Sequence, residues 1–295
     1  MEANPEPSLA EARRFSSSRV EIALIATLVV IWVPGILQLA EVWRTVEYAS
    51  HGFLVPLVAL WTATAHREEL RSLTPTPMRG GGLLLAVVAA LYLVALVLRN
   101  PTVLGLVAVA TVVVTVLALR GVAWVSTLRF SLAYLLFMVP LPTGWVTPVI
   151  VELQIFVSSI AVEILQQIGV SIFREGNVLT LPGDVSLFVA EACSGITSLI
   201  TLLPIGVFVA YFTESIFWRR LVLVVAVIPI ALAGNLLRVL LTVVLSTKVS
   251  VEFATEGPLH EWAGVATYLI ACLCLIAIGA LMRRFLPEDD LGPTA

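Results

Sequence analysis

The chain has 295 residues, of which 59% are hydrophobic and only 13% charged, and its mean hydropathy is +1.03. A soluble globular domain carries about 25% charged residues, so the composition excludes that class. The 17 Lys and Arg stand against 20 Asp and Glu, and part of the acidic excess lies in the tail at 287–290. No basic face is predicted, and we expect no nucleic-acid partner.

Eight apolar stretches are candidates for membrane-spanning helices, because a span needs roughly 20 mainly apolar residues. They are 20–40, 50–65, 81–98, 102–119, 121–140, 194–213, 221–245 and 260–281. The second stretch is short, and the first is too long for a cleaved signal peptide. The pattern predicts an all-α polytopic membrane protein with about eight transmembrane helices in the lipid bilayer.

Orientation follows from the Lys and Arg residues, because short cytoplasmic loops hold most of them. With the N-terminus inside, the inner segments hold eleven of the 17. They are Arg13, Arg14, Arg19, Arg67, Arg71, Arg79, Arg120, Arg219, Arg220, Arg283 and Arg284. We therefore expect cytoplasmic tails at 1–19 and 282–295, flanking a single membrane-embedded domain at 20–281.

The segment 141–193 is then outside, and its first half is typical of a helix. Glu152 and Glu163 interrupt the apolar pattern at 149–168. Because two carboxylates in hydrocarbon would be costly, we expect an external amphipathic helix at the outer interface and not a ninth span.

Two strand-like runs follow, at 177–181 and 185–189. Pro182, Gly183 and Asp184 between them are a turn signal. We expect a short β-hairpin here, which delivers Cys193 to the outer end of the sixth span.

The three cysteines form no CxxC pair, so we expect neither a disulfide framework nor a zinc site. Cys193, before Ser194 and Gly195, heads the sixth span, where a helix N-terminus favours a thiolate. It is equally consistent with a buried small hydrophobic residue. Cys272 and Cys274 lie deep in the last span and are expected to be packing residues.

Arg238 is the most informative charge. It lies 17 residues after Leu221, about 26 Å along a helix and near the outer edge of a hydrocarbon core about 30 Å thick. An arginine there indicates a functional site, and Asn235 on the same helix face would hold the guanidinium or a substrate carbonyl. The alternative is an arginine that snorkels to the headgroups. Arg129, inside the fifth stretch, shows that depth alone does not establish chemistry.

His260 opens the last span at the outer boundary, where it is either catalytic or only interfacial. His51, at the outer start of the second span, is a base, a substrate contact or an interfacial residue. His66 falls on the inner side. Glu191 and Glu261 flank the site as solvated or orienting carboxylates.

Three consecutive spans thus bring a thiol, a guanidinium and an imidazole to one face of the membrane. A thiol and an imidazole are the minimum for nucleophilic acyl chemistry, with a cation for the oxyanion. The alternative is a non-enzymatic transporter or an assembly scaffold for surface polymer export, in which Arg238 binds an anion or pairs with a carboxylate.

The motifs together resemble one family. EACSG at 191–195 precedes an apolar helix, NLLR ends at Arg238, and His260 heads the last span. YASHGFLVPL and the stretch GNVLTLPGDVSLFVAEACSG extend the pattern over about residues 45 to 281. The chain resembles the exosortase/archaeosortase family of membrane-embedded sorting enzymes.

The resemblance implies a cysteine protease or transpeptidase with Cys193 as its nucleophile and Arg238 and His260 as the family's arginine and histidine. It implies exported substrates with a C-terminal signal of the PEP-CTERM type: a short motif, a transmembrane helix and a basic cluster. The acceptor would be a surface polysaccharide, a lipid or water, and no cofactor or metal is implied. Many members carry an arginine shortly after CSG, where this chain has Thr197.

Overall fold

The computed structural model describes residues 9–176, 178–181, 185–188, 196–250, 253–254 and 258–285. The chain divides into two compact units. The first comprises Met1–Thr45 and Gly52–Pro140, and the second comprises Val46–His51 and Leu141–Ala295.

The first unit is helical in its described part. Its helices are α1 (Leu9–Thr45), α2 (Val55–Ala65), α3 (Arg67–Ser72), α4 (Gly81–Leu98), α5 (Pro101–Arg120), α6 (Val122–Thr127) and α7 (Arg129–Tyr134), and a 3-10 turn (Leu135–Met138) follows α7. Helices α4 and α5 form an antiparallel pair that approaches closely where Gly81 meets Ala118. The Tyr92 hydroxyl of α4 donates a hydrogen bond of 2.7 Å to the Ile31 carbonyl of α1.

The second unit is a helical bundle with a small sheet. After a 3-10 segment that begins within it (Glu47–Phe53), its elements are α8 (Thr143–Gln167), β1 (Phe173–Glu175), β2 (Val178–Leu181), β3 (Val185–Phe188), α9 (Ile196–Thr213), α10 (Phe217–Lys248) and α11 (Pro258–Phe285). Helix α10 packs against α8, α9 and α11. It is therefore the central helix of this unit.

The buried residues of α10 recur at every fourth position, as expected for one face of a helix. They are Arg219, Leu223, Val227, Ala231, Asn235, Val239 and Val243. Leu223, Val227 and Ala231 share a core with α9 and α11. Val239 and Val243 share another with α8 and the sheet. The buried face of α10 therefore contributes residues to both cores.

The predicted hairpin is confirmed. Strands β2 and β3 pair antiparallel, with Leu181 opposite Val185. The sequence did not indicate β1, which pairs with β2 on its other side. Leu179 and Leu181 are buried in the core with α8 and α10, so the sheet is anchored to the bundle.

A buried ion-pair cluster closes the opposite end of this bundle. Glu214, whose side chain is 1% exposed, follows α9 and pairs with Arg219 of α10 at 3.6 Å and with Arg283 of α11. Gly279 leaves room for it, since a methyl group there would lie 3.1 Å from Oε1 of Glu214. The cluster joins three helices at the end that the charge distribution predicts to be cytoplasmic.

Six helices of the described chain are long and apolar enough to cross a membrane. They are Glu21–Thr45, Gly81–Leu98, Pro101–Arg120, Thr143–Gln167, Phe217–Lys248 and Gly264–Phe285. An all-α polytopic membrane protein fits this architecture. The count of eight spans and the orientation stay predictions.

Three predicted spans are not among these six helices. The sixth stretch, 194–213, forms α9 (Ile196–Thr213), whose part Thr197–Thr213 counts as a shorter apolar helix. The second stretch contributes only the 11 residues of α2, which extend about 16 Å and fall short of a hydrocarbon core about 30 Å thick. The fifth is interrupted between α6 and α7 at Leu128, where the backbone leaves the helical region (ψ 6°). The interruption places Arg129 at the start of α7 with an exposed side chain, so this arginine does not lie inside a continuous span.

Two features of helix α8 bear on its placement relative to the membrane. It is long and apolar enough to be a candidate span. However, Glu152 and Glu163 are both exposed, whereas its buried residues pack with α10. Two exposed carboxylates would face lipid in a spanning helix, which favours the predicted external position.

The ion-pair cluster makes a stability prediction. Glu214→Gln removes the carboxylate beside the buried Arg219, a loss that costs about 3–5 kcal/mol in buried pairs. We expect a clearly lower unfolding temperature for the protein in detergent. The matched control is Glu41→Gln, which breaks the exposed Glu41–Arg44 pair of 2.9 Å and should cost about 0–1 kcal/mol. Equal shifts for the two variants would contradict the structural role of Glu214.

The position of α8 makes a labelling prediction. In a background with Cys193, Cys272 and Cys274 replaced by alanine, we expect Glu163→Cys to react with a membrane-impermeant maleimide on intact cells, because the side chain would lie at the outer surface. Leu93→Cys, at an exposed apolar position of α4, serves as the control and should not react. A Glu163→Cys variant that reacts only after the membrane is disrupted would exclude the external position.

Candidate functional site

The predicted nucleophile lies outside the part of the chain that the structure describes. This holds for Cys193 and equally for Glu191, Ser194 and Gly195. Helix α9 begins at Ile196, three residues after Cys193. What the structure places is the set of elements around this position.

Arg238 is partly buried on α10, with its Nε atom buried, and its guanidinium is directed at α11. A methyl group on Gly264 would lie 4.0 Å from Nη2 of Arg238. His260 is in the first turn of α11, four residues before Gly264, and so on the same helix face. The predicted arginine therefore lies against the face of α11 that carries the predicted histidine. The His260 side chain itself is outside the described part of the structure.

The close approach of α10 and α11 is possible because Gly234 has no side chain. A methyl group there would come within 2.8 Å of Cγ2 of Thr267. Gly234 of α10 thus contacts Thr267 of α11. One turn later on α10, Arg238 contacts Gly264, which lies one turn earlier on α11. The two helices are antiparallel, and Gly264 marks the level of the Arg238 guanidinium.

Polar side chains are also found inside the bundle of α9, α10 and α11. Asn235, predicted to support Arg238, is 1% exposed and belongs to the buried face of α10. Thr197 and Ser198 in the first turn of α9 are buried. Thr201 of α9 and Tyr268 of α11 join their hydroxyl groups at 2.7 Å. Polar groups buried among apolar helices require partners, and the Thr201–Tyr268 bond supplies one between α9 and α11.

His51 belongs to the second unit, whose members include α8 to α11. Its Nδ1 atom is buried. The neighbouring Tyr48 is buried and its hydroxyl donates to the Leu141 carbonyl at 3.4 Å. The three roles predicted for His51 stay open.

An apolar groove runs along α10 and α11, with a cavity volume of about 370 Å³. Its lining residues are Pro229, Ile230, Ala233, Gly234, Leu237, Thr267, Ile270, Ala271 and Cys274. Cys274 is exposed and Cys272 is partly exposed. Within the described part of the chain, no three His, Cys, Asp or Glu side chains cluster as metal ligands.

Sequence reasoning missed Thr201 and Tyr268. A signal for the pair was present in the sequence: Thr201 follows Cys193 by eight residues, and Tyr268 follows His260 by the same number. It also treated Arg219 and Arg283 only as charges of inner segments and did not single out Glu214, because an ion pair between residues about 70 positions apart has no local pattern.

The family resemblance drawn from the motifs is confirmed. Residues 43–277 match the family model described as Transmembrane exosortase (Exosortase_EpsH). The match extends over most of the chain and includes His51, Cys193, Arg238 and His260. No curated protein and no solved structure matches the chain. The chain therefore belongs to the transmembrane exosortase family, a family of membrane sorting enzymes.

Proposed function

We propose that this exosortase is a cysteine protease or transpeptidase that cleaves a C-terminal sorting signal at the outer face of the membrane. Cys193 is the nucleophile, Arg238 stabilises negative charge, and His260 transfers protons. The substrate is an exported protein with a short motif, a transmembrane helix and a basic cluster. The cleaved product passes to an acceptor or to water.

The observation that carries the proposal is the position of Arg238. Its guanidinium lies beside Gly264, one helical turn from His260 on the same face of α11. Placing a cation among apolar helices costs free energy, so such a residue indicates a functional site. Where water is excluded, it stabilises a developing oxyanion far more than it would in bulk solvent.

Chain connectivity limits where Cys193 can lie. It precedes Ile196 by three positions, so it is at most about 11 Å from the start of α9. Helices α9 and α11 are parallel, because Thr201 meets Tyr268 and Gly206 meets Leu275. Both helices therefore direct the positive ends of their dipoles toward the same end of the bundle, which favours a thiolate and an oxyanion there.

The proposed reaction has two stages. The Cys193 thiolate attacks the scissile carbonyl carbon, a C–S bond forms, and Arg238 or backbone N–H groups stabilise the oxyanion. The C–N bond then breaks, and His260 gives its proton to the leaving amine. An acceptor nucleophile or water next loses a proton to His260, attacks the thioester and releases the thiolate of Cys193.

Substrate presentation fits this geometry. A signal helix anchored in the bilayer with its basic cluster inside holds the preceding peptide at the outer interface. Charge distribution predicts that the first turns of α9 and α11 face the same side. Helix α10 is long enough to carry Arg238 to this level, since 21 residues separate it from Phe217, about 32 Å of helix.

The first functional test is the intact mass of a co-expressed protein that bears such a signal. We expect wild type to remove the C-terminal helix and Cys193→Ala to leave it in place, because the thioester cannot form. Cys274→Ala, at an exposed position of α11, is the matched control and should retain cleavage. Added mass on the product identifies transfer, and its absence identifies hydrolysis.

Two results of this test count against the proposal. Cleavage by Cys193→Ala would exclude the cysteine mechanism. No cleavage of any signal-bearing protein by wild type, together with slow alkylation of Cys193 in intact cells, would favour the non-enzymatic transporter or scaffold.

The contact between Gly264 and Arg238 makes a second prediction. Gly264→Leu should displace the guanidinium and lower the cleavage rate by about 100-fold, the size of effect seen when an oxyanion contact is lost. Gly264→Ala should retain most activity, because its methyl group stays at 4.0 Å. Gly82→Leu is the control, since open space surrounds this residue of α4. Equal cleavage by Gly264→Leu and Gly82→Leu would contradict the role of Arg238.

A further inference from the structure

The hydrogen bond between the hydroxyl groups of Thr201 on α9 and Tyr268 on α11 has a defined donor and acceptor. Thr201 donates its single hydroxyl proton to backbone carbonyls of its own helix, with Oγ1 at 2.7 Å from the Thr197 oxygen and 3.2 Å from that of Ser198. The contact of 2.7 Å with Tyr268 must then use the phenolic proton. Tyr268 therefore donates and Thr201 accepts.

This hydrogen bond defines an axial register between two parallel helices. Further along, a methyl group on Gly206 would lie 3.9 Å from Cδ1 of Leu275. The paired positions differ by 67 residues at Thr201 and by 69 at Gly206. The helices thus run side by side with nearly constant offset from this bond to the end where Glu214 pairs with Arg283.

Extended toward the start of both helices, the same offset pairs Thr197 with Gly264. Gly264 is the residue beside the Arg238 guanidinium. The first turn of α9 is therefore level with that guanidinium.

We propose that Tyr268 and Thr201 are positioning residues, whose hydrogen bond sets the level of the helix that follows Cys193 against the helix that carries His260. This inference rests on the proposed cysteine mechanism. A slip of one residue along a helix moves a side chain by about 1.5 Å. Reacting groups tolerate about 0.5 Å, so the register controls the chemical step.

At the far end, Arg283 of α11 pairs with Glu214 and donates to the Thr213 carbonyl of α9 at 3.1 Å. Between that end and the Thr201–Tyr268 hydrogen bond, the core contacts of the two helices are apolar. Leu202, Ala271 and Leu275 belong to the core that α9, α10 and α11 share. Apolar packing accommodates small axial shifts, whereas a hydrogen bond is lost within a fraction of an ångström. Removal of the hydroxyl pair should therefore leave the bundle folded and loosen its register.

The experiment measures kcat and KM for cleavage of a signal-bearing protein by the full-length enzyme in membranes. Tyr268→Phe removes the donor. Thr201→Val removes the acceptor together with its bond to the carbonyls of its own helix, and Thr201→Ser keeps the hydroxyl group. The matched control is Tyr92→Phe, which removes another interhelical hydroxyl bond of 2.7 Å, between α4 and α1.

We expect kcat to fall about three- to twentyfold in Tyr268→Phe and in Thr201→Val, the range set by interhelical hydrogen bonds in membranes. KM should change little, because substrate contacts are intact. The double variant should be no slower than the slower single one, since both remove the same interhelical hydrogen bond. Thr201→Ser and Tyr92→Phe should keep the wild-type kcat.

Two further measurements show why a variant is slow: the alkylation rate of Cys193 and the amount of folded protein in the membrane. A wild-type kcat in Tyr268→Phe, or additive losses in the double variant, would overturn the positioning role while wild-type cleavage keeps the proposed function. A loss explained by less folded protein, with unchanged kcat per folded molecule, would also overturn it. Absence of cleavage by the wild type would instead refute the proposed function on which the inference rests.

Discussion

Close packing around α10 is the constraint on which the second unit depends. Lipid tails are as apolar as leucine, so helices in a membrane associate through van der Waals contact and through small residues that let backbones approach. Ala231 in the buried face of α10 and Gly234 against Thr267 supply that approach. The positions of α9 and α11, and of the groups they carry, follow from how each packs on this helix.

Polar groups in this bundle are concentrated at two levels. At one end, Glu214 joins Arg219 and Arg283, so that a buried carboxylate is matched by two guanidinium groups. Toward the other end lie Asn235 and Arg238. The apolar core of Leu223, Val227 and Ala231 separates the two levels. The first level serves to hold the helices together, and we propose that the second serves chemistry.

The direction of the helices explains how one bundle could serve acyl transfer. Because α9 and α11 are parallel, both N-termini and Arg238 contribute positive potential to one region. An anionic thiolate and an anionic tetrahedral intermediate are both favoured there, so the same field would assist activation of the nucleophile and stabilisation of the transition state. The antiparallel α10 provides the cation, and its own negative end lies ten residues further along the helix, at Lys248.

Composition and local periodicity alone establish the membrane class, the β2–β3 hairpin and the position of Arg238 and Asn235 on one long apolar helix. These properties depend on hydropathy and on neighbours within a few residues. The interruption at Leu128, the third strand β1, the pairing of Glu214, and the contacts of Gly264 with Arg238 and of Tyr268 with Thr201 emerge only in three dimensions. They depend on the rotation and axial register of helices distant in sequence, and hydropathy carries no information about either.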